Sequence, residues 1–227
     1  MTQIKIDKLI RSQRNTIGLQ ITKDAQLIVR APLFASEDYI YKLISRKEVW
    51  IKSKLDFFKK RQNQTTPKKF VEGENFLFLG HSFPLKISEN LPKAVMLEDA
   101  LLISDVVMCN ARDHIENWYK AQALEHITQR TQHFAKLAGL GYSSIRINNA
   151  YTRWGSCGYK ETLNFTWRLI MAPQRIIDYV VIHELMHLKQ MNHSRRFWKE
   201  VAMMCPTYKE DERWLKQNGH LLVWDYS

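Results

Sequence analysis

The 227-residue sequence has no run of about 18 apolar residues, and its opening MTQIKIDKLIRS lacks the apolar core of a signal peptide. Neither a membrane span nor a secretory leader is expected, and the chain reads as a soluble cytoplasmic protein. Cysteine is scarce. Cys109, Cys157 and Cys205 are odd in number, widely spaced and form no CxxC pair, which argues against a disulfide framework and against a structural zinc ribbon. Cys157, in WGSC, reads as a buried small apolar residue in preference to a neighbour of a metal. There is no internal repeat, and the polar stretch at 61–69 is the one low-complexity candidate. Acidic charge is also in deficit: 23 Asp+Glu against 34 Lys+Arg leave a formal charge of +11. That balance favours polyanionic partners, nucleic acid or an acidic protein. The basic residues are spread through RKEVWIKSK, FFKKRQ, PKK and HSRRFW without a nucleic-acid motif, so a solvated basic surface fits the same charge.

What the chain does have is VVIHELMHLKQMNHSRRFW, Val180 to Trp198, where three imidazoles and a carboxylate fall within eleven residues. His183 and His187 are four apart, so on a helix they project from one side about one turn from each other. Glu184 lies about 100° round the helix from His183, poorly aligned as a ligand but able to reach water at a metal held by the two histidines. A catalytic zinc takes three protein ligands and keeps a fourth position for water. The nearest third candidate is His193. On a continued helix it would point away, so the helix must stop at Gln190-Met191-Asn192, Asn192 supplying the left-handed residue and Ser194 capping a new helix from Arg195. The spacing HExxHxxxxxH is that of the long metzincin motif, but Gln190 stands where that motif has Gly. Zinc is the expected ion, although neutral imidazoles accept several divalent metals.

The length allows one large domain or two small ones. Residues 4–31 hold three short alternating runs, IKIDKLI, TIGLQIT and QLIVRAP, read as an antiparallel meander. Ser36 to about Gln62 reads as one long amphipathic helix, its Trp50, Phe57 and Phe58 being core residues before they are base-stacking ones. FLFLG, FPLKIS, AVMLE and ALLIS then suggest hairpins, with His81 a turn residue. From Asn110 an apolar stripe predicts a helix of some seven turns ending at Gly139 and Gly141, with His114, His126 and His133 on its surface. SSIRINN and TLNFTWRLI read as paired strands joined through Gly155 and Gly158, glycines that permit tight turning. Pro173 then opens the motif helix, and two short helices follow His193. Arg195 and Arg196 at a helix N-terminus oppose its dipole, a mild conflict that an anionic partner would relieve. The expected class is α+β: residues 1–108 an N-terminal antiparallel β-rich region with one long helix, residues 109–227 a region with a β-hairpin and the HExxH helix.

The run TRWGSCGYKETLNFTWRLIMAP followed by IDYVVIHELMHLKQMNHSRRFW resembles the YgjP-like metallopeptidase family, a relative of SprT-like and WLM proteases, from about Ile145 to Trp214. The resemblance implies that residues 109–227 form a zincin-like metallopeptidase region of gluzincin-like type with one catalytic zinc ion, His183, His187 and His193 as ligands and Glu184 as acid/base. Gluzincins commonly take a third ligand from a following helix, which keeps Glu200, Glu210 and Glu212 open as alternatives to His193. SprT-like relatives act on proteins attached to DNA, which by analogy gives the basic surface a DNA-related reading.

The expected activity is peptide-bond hydrolysis, with Glu184 moving the proton from water to the leaving amine. Arg153, in the loop before the zinc helix, and Tyr208 are candidates for stabilising the oxyanion or binding substrate. A strand edge, Ser143 to Asn149 or Thr162 to Arg168, is expected to pair with an extended peptide. A nucleic-acid-associated zinc module with little or no proteolysis is the alternative, and a hydrolase of a small amide uses the same residues.

Overall fold

The computed structural model describes residues 4–22, 24–62 and 67–224, with residues 57 and 59–62 as backbone alone. The side chain of Phe57 and residues 63–66 of the polar stretch lie outside the described residues. Six α-helices and three small sheets are found among them, an α+β chain. It divides into two compact units, residues 1–67 with 224–227, and residues 68–223. The onset of helix near residue 109, where a boundary is expected from the sequence, lies inside the second unit.

The first unit is a three-stranded sheet followed by two helices. The strands β1 (Lys8–Ser12), β2 (Gly18–Ile21) and β3 (Leu27–Pro32) lie in the order β1-β3-β2. β2 pairs with β3 antiparallel, but β1 runs parallel to β3, so the expected meander is corrected. Asp7 causes the exchange of neighbours: its Oδ2 accepts the Leu27 N–H at 2.7 Å and its own N–H donates to the Leu27 carbonyl at 3.0 Å, clamping β1 beside the start of β3. Leu27, Val29 and Ala31 alternate inward on β3 and pack with Ile40, Ile44 and Ile51. Ser36 caps α1 (Glu37–Arg46) by accepting the Tyr39 N–H. The single long helix is also corrected, because Lys47 leaves the helical region (φ −105°, ψ 11°) and α2 (Glu48–Gln62) starts anew. Ile44 and Ile51 are seven apart and keep the apolar stripe in phase across that one-residue break.

In the second unit, β4 (Asn75–Phe78), β5 (His81–Ser88), β6 (Val95–Leu97) and β7 (Leu101–Ser104) form a sheet in the order β4-β5-β7-β6. β4–β5 and β6–β7 are hairpins, and β5 meets β7 in parallel. The β4–β5 turn uses Leu79 and Gly80 with positive φ (48° and 83°) and donates both N–H groups to the carbonyls of Ile170 and Met171. A Cβ on Gly80 would lie 2.9 Å from Pro173, so the glycine lets this turn seat against the entry to the motif helix. His81 opens β5 at the surface. The helix α3 (Ala111–Ala138) buries Ile115, Tyr119, Ala123, Ile127, Thr131 and Ala135 at helical spacing and stops at left-handed Gly139.

The third sheet carries the largest correction. β8 (Ser144–Asn148) and β10 (Thr162–Thr166) do pair, but in parallel, because the connection between them contains a further strand, β9 (Gly155–Cys157), antiparallel to β10. The order is β8-β10-β9. β10 is thus central rather than an edge, which removes Thr162 to Arg168 as a place for an added strand. The strand expected to run on to Ile170 ends at Thr166 and winds into a buried 3₁₀ turn, Trp167–Met171; a short apolar run suits either when both are buried. Then come α4 (Gln174–Met186), α5 (Arg195–Met204) and α6 (Tyr208–Asn218). Arg130 makes a two-pronged ion pair with Asp178 (2.6 and 3.0 Å), and His126 meets Gln174 at 2.6 Å. The first turns of α4 are thereby pinned to α3, and His126 is half-buried in that contact while His133 is exposed.

Candidate metal centre

α4 is apolar on nearly every side, with Ile176, Ile177, Val180, Val181, Ile182, Leu185 and Met186 buried. Its polar face is therefore narrow, and it holds His183 and Glu184. The helix ends at Met186, and the N–H groups of Leu188 and Lys189 bond three residues back to Leu185 and Met186, a tightened last turn. No residue from 187 to 193 has positive φ, so Asn192 does not end the helix in a left-handed conformation as expected. Its side chain instead accepts the Ser194 N–H at 3.2 Å, shaping the turn. Ser194 caps α5 by accepting the Phe197 N–H, as the sequence predicts.

This turn brings His193 back onto His183 and His187. One ring nitrogen from each falls within 4.8 Å of the others, and the Nε2 atoms of His183 and His193 are 3.0 Å apart. Nitrogens on a tetrahedral zinc, each about 2.0–2.1 Å from the ion, stand about 3.3 Å from one another. His187 Nδ1 lies 3.0 Å from the Gln190 carbonyl, a bond that puts the proton on Nδ1 and leaves Nε2 as a free lone pair. Phe197, fully buried, stacks on His187 with centroids 4.5 Å apart, and Trp198 stacks on His193 at 5.7 Å. Burial, and then the neighbouring His187 and His193, lower the His183 pKa to about 3; burial lowers that of His187 too. Both shifts favour the neutral ring at His183 and His187, the form that ligates metal. Converging ring nitrogens and an ordered surround fit a divalent zinc-like ion.

Glu200 is engaged elsewhere, by Lys189 at 3.1 Å. Glu212 pairs with Lys216 at 2.6 Å, and Glu210 is exposed. Among the described residues, the three histidines are the group of metal-ligating side chains that converges.

Glu184 is buried on the wall of a cavity of about 290 Å³ that it shares with His183. Burial pushes its pKa up to about 8, against the opposing pull of the Arg153 charge and of the Cys157 N–H donated to it. The backbone of β9 approaches it closely: a Cβ on Gly155 would lie 2.6 Å from both Cγ and Oε1 of Glu184. Gly155 is there for close approach, not for the turning expected of it. The sheet edge beside the centre is accordingly β9, while β8, within Ser143 to Asn149, is the opposite edge.

Arg153 is exposed and acts on Glu184. Tyr208 stacks on Trp198 at 5.2 Å, as Trp198 stacks on His193, and it is not among the residues that line the cavity of Glu184. Sequence reasoning missed Tyr179, one turn before His183, whose ring stands edge-on to the His183 imidazole at 6.0 Å. The i, i+4 spacing Tyr179–His183–His187 is the signal that would have found it. It also missed Trp154, which joins Gly155 in lining the cavity.

A model of the YgjP-like metallopeptidase domain matches residues 15–218. Among solved structures, the metallopeptidase zymogen of Pyrococcus abyssi abylysin is 24% identical over 40% of this chain and 93% of that one, with a TM-score of 0.37. The metallopeptidase zymogen of Methanocaldococcus jannaschii jannalysin is 22% identical over 42% and 96%, with a TM-score of 0.36. No curated protein matches the chain.

Proposed function

The chain belongs to the YgjP-like metallopeptidase family, and from that premise we propose that it hydrolyses peptide bonds at a single zinc ion held by His183, His187 and His193, with Glu184 as acid/base. The observation that carries this reading is the convergence of three imidazoles beside a buried carboxyl on a cavity wall. Bound zinc supplies a Lewis acid that polarises the scissile carbonyl and acidifies water. The three imidazoles hold the ion, and the Gln190 carbonyl orients the ring of His187. Glu184 takes the proton of the attacking water and passes it to the leaving amine as the C–N bond breaks. Its raised pKa suits a group that gains and loses a proton near neutrality. The Arg153 charge keeps that pKa from rising further, so its role is tuning the acid/base rather than holding the oxyanion. An extended peptide lying along the β9 edge would pass Glu184.

The test compares metal content and cleavage of an unfolded protein between the intact chain and Glu184→Gln. One zinc is expected in both, with cleavage falling about 10²–10⁴-fold in the variant. Undiminished cleavage would remove Glu184 from the chemistry; loss of zinc from Glu184→Gln but not from His193→Ala would overturn the ligand assignment.

A second reading draws on charge. Of the 34 Lys+Arg and 23 Asp+Glu, fourteen and seven fall in the first unit, leaving it at +7 against +4 for the larger second unit. This supports a polyanion, with nucleic acid the fitting class, as a partner of the first unit alongside hydrolysis in the second.

A further inference from the structure

Resting on the reading of the site as a peptidase centre, we propose that the cavity beside Glu184 is a substrate side-chain pocket that selects a large apolar residue, Phe, Leu or Met, next to the cleaved bond. The cavity lies between the start of β9, the outward face of α4 and α6. Its walls are the Trp154 indole, the Tyr179 ring, Val180 and Leu215, and Glu212 and Lys216 stand on it from α6. At about 290 Å³ it is at the small end of ligand cavities and takes one side chain. Because His183 and Glu184 line the same cavity, a side chain seated there belongs to a residue flanking the bond that Glu184 serves.

Charge decides the class. An acidic side chain would face Glu184 and Glu212 together, and the cation on the wall, Lys216, is already bound to Glu212 at 2.6 Å. A basic one would find Glu212 already bound to Lys216 at 2.6 Å, and would have to break that pair while leaving water itself. Apolar side chains meet no such opposition and remove apolar wall from water as they enter. Small ones leave the walls unfilled. The depth is set by the backbone: a Cβ on Gly219 would lie 2.7 Å from Trp154 Cζ2, so the absence of a side chain at 219 lets the indole lie back and keeps the cavity open. Asp211, fully buried, is bonded to Arg175 of α4 and to Thr207 Oγ1 at 2.9 Å, which holds α6 against α4 as a fixed wall.

The experiment uses the full zinc-loaded chain and short blocked peptides identical except for one central residue, Phe, Leu, Ala, Lys or Glu. Cleavage is read as ratios of kcat/KM, which do not depend on the fraction of active protein, and affinity is read separately with zinc-loaded Glu184→Gln. Phe and Leu peptides are expected to exceed Ala by about tenfold or more in both readouts, with Lys and Glu below Ala. Leu215→Trp, which fills the cavity, should reverse the Phe:Ala ratio, and Leu215→Ala should raise the ratio for the bulkiest side chain. A loss of fold lowers all peptides together and leaves the ratios unmoved. Cleavage with equal ratios, or ratios untouched by both Leu215 variants, overturns the pocket. Discrimination in binding without cleavage by the intact chain keeps the pocket and overturns the peptidase reading instead.

Discussion

At the scale of single residues, the site hangs on one atom that is missing. Gly155 lacks the Cβ that would collide with Glu184, so the strand edge and the carboxyl share one space. Gly155→Ala must either turn Glu184 away or push β9 off α4, and misplacing a reacting group by about 1 Å can lower a rate about 10²-fold. We expect Gly155→Ala to bind one zinc, since the three histidines are brought together by the turn after α4, and to lose cleavage by ten- to a hundredfold. Zinc content and initial rates on one preparation check this; unchanged cleavage would show that the contact is not one on which the chemistry depends. The convergence of His183, His187 and His193, and the place of Glu184 beside His183, were legible because helical spacing and a helix stop act locally. The charge of Arg153 acts on Glu184, and Tyr208 stacks on Trp198, neighbours that no spacing in the sequence reports. Trp154 and Gly155 stayed hidden because they meet Glu184 only after some thirty residues of chain have folded back, and no spacing reports that.

Among elements, the turn between α4 and α5 does more than connect. It closes with a tightened helix end, an Asn192 side-chain bond and the Ser194 cap, and it sets where His193 stands. Removing the cap with Ser194→Ala should destabilise the metal-free chain by about 1 kcal/mol, and zinc affinity should fall as well because His193 adjoins the cap. Ser194→Asp, which restores an acceptor, should recover both. Urea unfolding and competitive zinc titration measure the two effects, and a Ser194→Ala chain equal to the parent in both would refute the cap's role in placing His193. The helices were the legible elements, since their stripes and caps lie within one segment: Ser36, Ser194, Gly139 and Gly219 all stand at the helix boundaries. Strand partners were not. β1 and β8 each pair in parallel with a strand beyond the next one, and alternation records which face is buried, not which neighbour is chosen. The break at Lys47 escaped because the apolar stripe stays in phase across it.

At the scale of the whole molecule, the uneven charge makes a prediction separate from the chemistry. Lys42, Arg46 and Lys47 follow one another around the end of α1, and Lys47 with the half-exposed Trp50 lines a hollow of about 300 Å³ in the first unit. Cations beside an accessible aromatic ring suit single-stranded nucleic acid, whose phosphates and bases they meet in turn. If Z phosphates are neutralised, log K falls with log[salt] at a slope of about −0.7Z for a single strand. Binding of a labelled single-stranded oligonucleotide is therefore expected to weaken steeply as salt rises. Lys42→Glu with Arg46→Glu should flatten that slope, and Trp50→Ala should lower affinity without altering it. Glu184→Gln should change neither, because Glu184 belongs to the other unit. Absence of binding at low salt would reduce the basic surface to solvation. A slope unmoved by the first-unit reversals but flattened by Lys209→Glu with Arg213→Glu would move the contact to α6, beside the cavity, and make nucleic acid a competitor of the peptide rather than a separate partner.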